Sequence, residues 1–418
     1  MNSANTATAA ANPVALRADA QVIGLVGLAH LISHYSQLLL APLFPWLKEE
    51  FQVGYTELGF LMTIFFVVSC AVQAGSGFVV DRFGPRPILF GGLALLGLAA
   101  FGFAASTSYA MLAGFSVLAG LGNGVFHPVD YTLLNRRVSA PRLGHAYSVH
   151  GITGSLGWAL APAMLVPLAI AFSWRVALVC AGVLAFTVLA VLLFNRRFLA
   201  LPAAPAAAPG VMGKGAVDGQ GNFAFLRIPA VWMCFAFFFF YAVSLNVVQA
   251  FAPEAARQLH AVPVALAAMC LTVYMVASAG GMVLGGFLAA DPNRCERIVG
   301  VGFGLAACVA VVLALAHPPG VLVPVLFGVM GFCAGIAGPS RDLLVKRSTP
   351  EGSTGRVYGI VYSGLDIGQA LSPLLFGVLL DQGRFSAVLL GLAAVQGVLI
   401  VSAFNVRRVR RTASPVAA

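Results

Sequence analysis

Charge is what this sequence has least of. Only 9% of its 418 residues are Asp, Glu, Lys or Arg, against about 25% in an ordinary soluble domain. Acids are the scarcer sign: 14 Asp and Glu stand against 24 Lys and Arg, a formal net charge of +10. So little polar surface cannot coat a soluble globule of this length. That excludes a soluble enzyme, a disordered chain and a nucleic-acid-binding domain. Cysteine chemistry is thin as well. Cys70, Cys180, Cys234, Cys270, Cys295, Cys308 and Cys333 form no CxxC and no closely spaced metal-ligand set. All but Cys295 sit in apolar stretches, where a thiol is a small packing residue. There is no Asn-x-Ser/Thr acceptor, no cleavable leader pattern in the Ala/Asn/Thr-rich first residues, and no Walker motif for ATP.

What is there is apolar. Hydrophobic residues make up 60% of the chain, with 46 glycines besides, and mean hydropathy is +0.93. Twelve apolar segments follow one another: 21–45, 56–80, 88–105, 109–134, 144–170, 174–194, 229–251, 261–290, 298–316, 321–345, 355–380 and 385–405. Each is long enough to cross a bilayer as a helix, some with tilt. Open strands are excluded because lipid cannot satisfy a sheet edge. The expected class is an all-α polytopic membrane protein with 12 transmembrane helices. Alternating the segments from a cytoplasmic N-terminus puts twenty of the 24 Lys and Arg on the cytoplasmic side; only Lys48, Arg175, Arg257 and Arg384 fall outside. Positive charge marks the inside, so both termini are expected in the cytoplasm. The surplus of positive charge then reflects topology, with no polyanion partner needed.

The organisation expected is a cytoplasmic tail at 1–20, a six-helix bundle at 21–194, an Ala/Pro/Gly-rich linker at 195–228, a second bundle at 229–405 and a basic tail at 406–418. The halves are related at one offset of 211 residues. Gly120, Gly124, Pro128 and Arg136 meet Gly331, Gly335, Pro339 and Arg347; Gly144, Tyr147, Gly157 and Pro162 meet Gly355, Tyr358, Gly368 and Pro373. Matched Pro, Arg and Tyr at one spacing are hard to obtain by chance. Two pseudo-symmetric bundles in the same orientation are the parallel repeat of many secondary transporters, which hold substrate near mid-membrane.

The turn between the second and third segments reads Gly77-Phe78-Val79-Val80-Asp81-Arg82-Phe83-Gly84-Pro85-Arg86. It resembles the G-x-x-x-D-R-x-G-R-R/K signature of the major facilitator superfamily, and the resemblance extends over nearly the whole chain. Gly120-x-Gly122-x-Gly124 with Phe126-His127-Pro128, then Gly154-x-x-Gly157 with Pro162, is similar to the fosmidomycin-resistance type of drug efflux protein. Val129 follows the Pro where that family usually has an acid, and Asp130 comes one later. The arginine that many drug/proton antiporters carry early in the fourth helix is absent, with Phe115 and Ser116 nearby instead. The resemblance implies a transporter, not an enzyme, working by alternating access from the cell inner membrane. Its expected partners are the lipid bilayer, protons and a small-molecule substrate, with no nucleic acid, and it is expected to act as a monomer. No cofactor is expected; the proton gradient supplies energy. Efflux by proton antiport is the direction expected; the alternative is proton-coupled uptake of an organic acid or metal chelate.

Several polar residues interrupt the apolar spans. His30, His34 and Gln37 share one face of the first helix. Asn123 and His127 share a face of the fourth, and Tyr147 and His150 lie together on the fifth. Asn246 and Gln249 lie on the seventh. Tyr358, Tyr362, Asp366 and Gln369 run down the eleventh. Polar stripes are costly against lipid and are expected to face a central cavity. Asp366 is the one acid at the middle of a span, where burial disfavours its charged form; with His127 and His34 it is a proton-coupling candidate. A structural hydrogen-bonding role, or contact with a cationic substrate group, is the competing reading. Imidazoles suit a proton relay or an anionic substrate, or act simply as helix–helix hydrogen-bonding groups. A metal or haem site demands that two or more of them converge with a third ligand, and no metal ligand is assigned. Asp81, Arg82 and Arg86 are expected to gate the cytoplasmic face, with Asp130 pairing Arg82 or Arg86. The run Phe235–Phe240 is expected to be packing and lipid-facing surface.

Overall fold

The structure is a computed structural model, and it describes residues 13–201, 229–288, 294–348 and 354–413. Most of the expected linker, the ends of both tails and the turn containing Asp291 lie outside the described residues. No strand occurs among the residues described. Twelve spans are long and apolar enough to cross a membrane.

The first bundle comprises α1 (Pro13–Gln37), α2 (Phe44–Phe51), α3 (Tyr55–Phe83), α4 (Pro85–Ala105), α5 (Tyr109–Asn123), α6 (Phe126–Arg137), α7 (Leu143–Ala171) and α8 (Trp174–Phe194). The second comprises α9 (Pro229–Asn246), α10 (Ala252–His260), α11 (Val264–Leu288), α12 (Cys295–Leu315), α13 (Val323–Ser348), α14 (Thr354–Asp381) and α15 (Phe385–Ala413). Helix α1 begins ahead of residue 21, and α15 continues past 405. The repeat seen in the sequence is a repeat of helices. Leu143 opens α7 and Thr354 opens α14; Trp174 opens α8 and Phe385 opens α15; both differences are 211 residues.

Three spans are interrupted where the sequence reads as continuous. The first breaks at Ala41–Leu43 and the seventh at a π-helical turn, Val247–Phe251. Matching Ala-Pro pairs, Ala41-Pro42 and Ala252-Pro253, stand there, and proline removes a helix-interior donor. The fourth span breaks between α5 and α6, just before Pro128. Its counterpart α13 runs unbroken through Pro339.

Small residues let the helices touch. A Cβ on Gly124 would come within 2.5 Å of the Ser69 carbonyl, so α5 lies backbone to backbone on α3; Gly335 does the same against Ser278, laying α13 on α11. Such small-residue contacts replace the hydrophobic driving force that lipid cannot supply. The signature turn uses its glycine differently. Gly84 has φ 81°, which a side chain resists, and Pro85 opens the next helix behind it.

The outer surface is apolar: Phe172, Phe194, Phe287 and Leu375 are 60–88% exposed. Patches of this kind are uncommon on soluble monomers and fit a lipid-facing wall. In the phenylalanine run Phe237 and Phe238 are buried, in keeping with the packing part of that expectation.

The bundles meet through α3 against α14 and α7 against α11. They are fastened at the end away from the arginine-rich turns. Asp381, closing α14, accepts the Tyr55 N–H at 2.6 Å, the Thr56 N–H at 2.8 Å and the Thr56 hydroxyl at 2.6 Å, with Lys48 Nζ at 3.7 Å. It thus caps the N-terminus of a helix in the other bundle, meeting orphan donors and the positive dipole end together. Tyr55 donates to Glu254 at 2.7 Å, and Thr63 to the Ala370 carbonyl at 2.6 Å. Beside this clasp a crevice opens between the α1–α2 turn, α7 and the π-helical turn.

Candidate functional site

At mid-depth the polar residues of the first bundle gather into one network. The i, i+4 and i+7 spacing on α1 brings His30, His34 and Gln37 to the same side, toward α6 and α7. Gln37 accepts the Trp158 indole N–H at 3.0 Å, and the Trp158 ring lies 4.3 Å from that of His34. Ser33 donates to Asn123 Oδ1 at 2.7 Å, and Asn123 Nδ2 donates to Ser69 at 2.9 Å. One turn further along α3, across the break into α6, His127 Nδ1 meets Gln73 Oε1 at 2.9 Å. Residues 69 and 73 on α3 therefore zip against 123 and 127, i and i+4 on each side.

The imidazoles cluster tightly. His30 stacks on His150 at 3.5 Å between centroids, and lies 4.3 Å from His34 and 5.4 Å from His127. Asp130 sits beneath them with no exposed surface. Its Oδ2 is 3.1 Å from both His30 Nδ1 and His150 Nε2; with the carboxylate ionised, both N–H groups donate to it. Asp130 Oδ1 and both ring nitrogens of His34 lack a hydrogen bond of good geometry. Room for the rings comes from Gly154, where a Cβ would sit 2.8 Å from His34 and 3.1 Å from His30.

The network crosses to the second bundle at one point. Gln73 Nε2 donates to Asp366 Oδ2 at 3.2 Å. A half-buried acid on α14 is thereby linked through one amide to His127, and the Cys70 thiol lies beside the same carboxyl.

Asp130 corrects one expectation. It does not pair with Arg82 or Arg86. Its ion-pair partners among the described residues are His30 and His150, while Arg82 is exposed with its guanidinium 5.3 Å from the Phe83 ring. The reason is depth: the break before α6 turns residue 130 inward, below the histidines. In the described state Asp130 is paired with the histidines. The Asp81 side chain lies outside the described residues, as do those of Tyr358 and Tyr362. Tyr147 points elsewhere too. Its hydroxyl donates to Asn135 at 2.6 Å, toward the arginine-rich end, and it reaches the cluster only through Tyr131, whose ring is 5.3 Å from His150. Asn246 and Gln249 flank or lie within the π-helical turn, buried, with all four side-chain polar atoms unpartnered; Gln369 Oε1 is unpartnered as well. His145 is exposed.

Sequence reasoning missed Gln73, Ser33, Ser69 and Trp158. A signal for Gln73 was available, since it is the one amide in an otherwise apolar second span. The π-helical turn carries no such signal, though turns of this kind recur at functional sites.

Two matched six-helix bundles with a polar cluster between helices at mid-depth define the architecture of a secondary transporter. Residues 26–328 and 233–417 match the Major Facilitator Superfamily, and the chain belongs to that superfamily. It is 30% identical over 164 residues to the fosmidomycin resistance protein of Escherichia coli K12, covering 37% of this chain and 38% of that one. It is 23% identical over 197 residues to the niacin transporter NiaP of Acinetobacter baylyi, covering 47% and 43%. The chain thus matches less than half the length of either relative. In fold it is similar to the crystal structure of a bacterial homologue of the human lysosomal transporter Spinster, inward-facing and occupied, with a TM-score of 0.74 at 14% identity over 95% of this chain and 99% of that one. Family and structural neighbours are transporters, not enzymes.

Proposed function

We propose that this transporter exports a small molecule across the cell inner membrane in exchange for protons, with both termini in the cytoplasm. The observation that carries the coupling is the hydrogen-bonded path Asp366–Gln73–His127, which joins an acid of one bundle to the histidine cluster of the other. Rocking of the bundles must break the Gln73–Asp366 bond at 3.2 Å, because its two ends move with different bodies. Protonating Asp366 removes the charge that holds the amide there. Proton occupancy and facing state are thus linked through one contact, and a ligand shifts such an equilibrium by its differential affinity for the two states.

The clasp at Asp381 supports an assignment of the described state as closed at the end opposite the arginine-rich turns, which the positive-inside rule places outside the cell. Export is favoured by the resemblance to the fosmidomycin resistance protein over both the Gly120–Pro128 stretch and the Gly154–Pro162 stretch. The bilayer, protons and the substrate are the partners this reading requires, and it requires no cofactor.

Proteoliposome flux over a compound panel, with a pH gradient of either sign, tests the reading. Export-type exchange driven by an inward proton gradient, abolished in Asp366→Asn, is the expected outcome. Gradient-driven flux that survives Asp366→Asn removes that residue from coupling. Flux in the same direction as the protons replaces exchange by uptake.

A further inference from the structure

We propose that His30, His34 and His127 form a binding site for a divalent transition-metal ion of the zinc, cobalt or nickel kind. One ring nitrogen from each lies within 4.8 Å of the others. Zinc–imidazole bonds of about 2.0–2.1 Å in a tetrahedral site place nitrogens roughly 3.4 Å apart. Small side-chain rotations close the difference, with no movement of α1 or α6.

The surroundings are those a metal-bound imidazole needs. A ligating histidine usually hands its second ring N–H to a carboxylate or amide oxygen, which fixes tautomer and ring plane. His30 Nδ1 lies 3.1 Å from Asp130 Oδ2 and His127 Nδ1 lies 2.9 Å from Gln73 Oε1. In both rings Nε2 is then the nitrogen offered for coordination. His34 completes the set from the other direction. It is 9% exposed, and neither of its nitrogens makes a hydrogen bond of good geometry. Leaving a buried polar group unmet is costly, and a metal ion meets it.

Charge argues the same way. Asp130 is a fully buried acid whose described ion-pair partners are histidines alone. No described Lys or Arg offsets it, and a divalent cation one imidazole away does. His30, Asp130 and His150 form a second convergent set, but it shares His30, so Asp130 and His150 serve the trihistidine ion as supporting groups. Imidazole donors select zinc, cobalt, nickel or copper over magnesium and calcium. Three protein ligands leave one position open, as in sites where the metal meets a further ligand and unlike closed structural sites. His127 is the most exposed of the three. Coordination requires neutral imidazoles and so releases any protons they hold. The site does not depend on transport direction or on Asp366.

Tag-free, full-length protein in detergent, stripped with chelator and titrated with Zn²⁺ by calorimetry and with Co²⁺ by absorption, tests the site. Expected are about one ion per chain and the visible bands of tetrahedral cobalt. His34→Ala and His127→Ala lose both, and Asp130→Asn weakens binding about 10–100-fold. His34→Cys keeps the ion and adds a thiolate-to-cobalt charge-transfer band, which reports ligation in folded protein. His145→Ala changes nothing. The site is overturned by wild-type protein that takes up no stoichiometric zinc, by His34→Ala and His127→Ala that bind it as tightly as wild type, or by a monodisperse His34→Cys protein lacking the new band.

Discussion

Where the first bundle carries His30, the second carries Tyr241; Leu245 stands for His34, Gly338 for His127 and Val361 for His150. In the other direction Asp366 corresponds to Ser155. The glycines and prolines of helix contact behave oppositely: Gly120, Gly124, Pro128 and Gly157 recur as Gly331, Gly335, Pro339 and Gly368. Gly335 meets the Ser278 carbonyl as Gly124 meets that of Ser69. Most of the shared residues are glycines and prolines, and several of the glycines let backbones touch. The unshared ones are polar, and a polar group inside a membrane is expensive. The first bundle joins most of its polar groups to one another and leaves both His34 nitrogens and Asp130 Oδ1 unmet; the second keeps Asn246 and Gln249 unmet beside a π-helical turn. The duplicated part is a scaffold and the asymmetric part is chemistry. The first bundle holds a hydrogen-bonded histidine cluster, and the second holds Asp366 with unpartnered amides that include Asn246, Gln249 and Gln369.

The sharpest way to break this contrast is to remove the acid that joins the halves. Asp366→Asn is expected to abolish gradient-driven flux while leaving exchange of substrate at equal pH, measured in proteoliposomes. Next in size, Asp130→Ala strands two histidines below their rings and is expected to cost about 3 kcal/mol of stability, read by thermal or denaturant unfolding in detergent. A removal of similar scale from the second bundle should do the opposite. Asn246→Leu replaces unmet polar atoms and is expected to raise stability by about 1 kcal/mol while lowering flux.

The clasp comes next. Asp381→Ala frees two backbone donors and a hydroxyl, and the loss of a helix cap is worth about 0.5–2 kcal/mol. The expected result is faster thiol labelling of a cysteine placed at Ala250, in the crevice beside the clasp. The smallest effect separates scaffold from site within one helix. Gly154→Ala pushes a methyl to 2.8 Å from His34 and is expected to reduce flux, whereas Gly151→Ala, with nothing within 4 Å, leaves flux intact. It stabilises α7 by up to about 1 kcal/mol.

Much of the site was legible before any fold was known. His30, His34 and Gln37 do share a face, because helical period alone sets that direction on α1; Asn123 and His127 both meet α3, although a break separates them. Asp366 stood out as an acid where hydrocarbon tolerates few. Asp130 was misplaced for an instructive reason. Counting along an unbroken helix puts it near the membrane edge, in reach of Arg82; the break before Pro128 instead tucks it under His150. Gln73 was passed over although Ser69, Gln73 and Ser76 stand at i, i+4 and i+7 on the second span, the same period that marked the other stripes.

Span number, the expected sidedness and the two-fold repeat are properties of composition and spacing, since bilayer thickness, loop charge and helical period act on each segment separately. Which imidazole meets which carboxylate is a property of pairs of segments 20 to 100 residues apart. Those meetings were settled by glycine-mediated backbone contact between helices, by a break in the fourth span, and by the cross-bundle reach from Gln73 to Asp366, none of which any segment specifies alone.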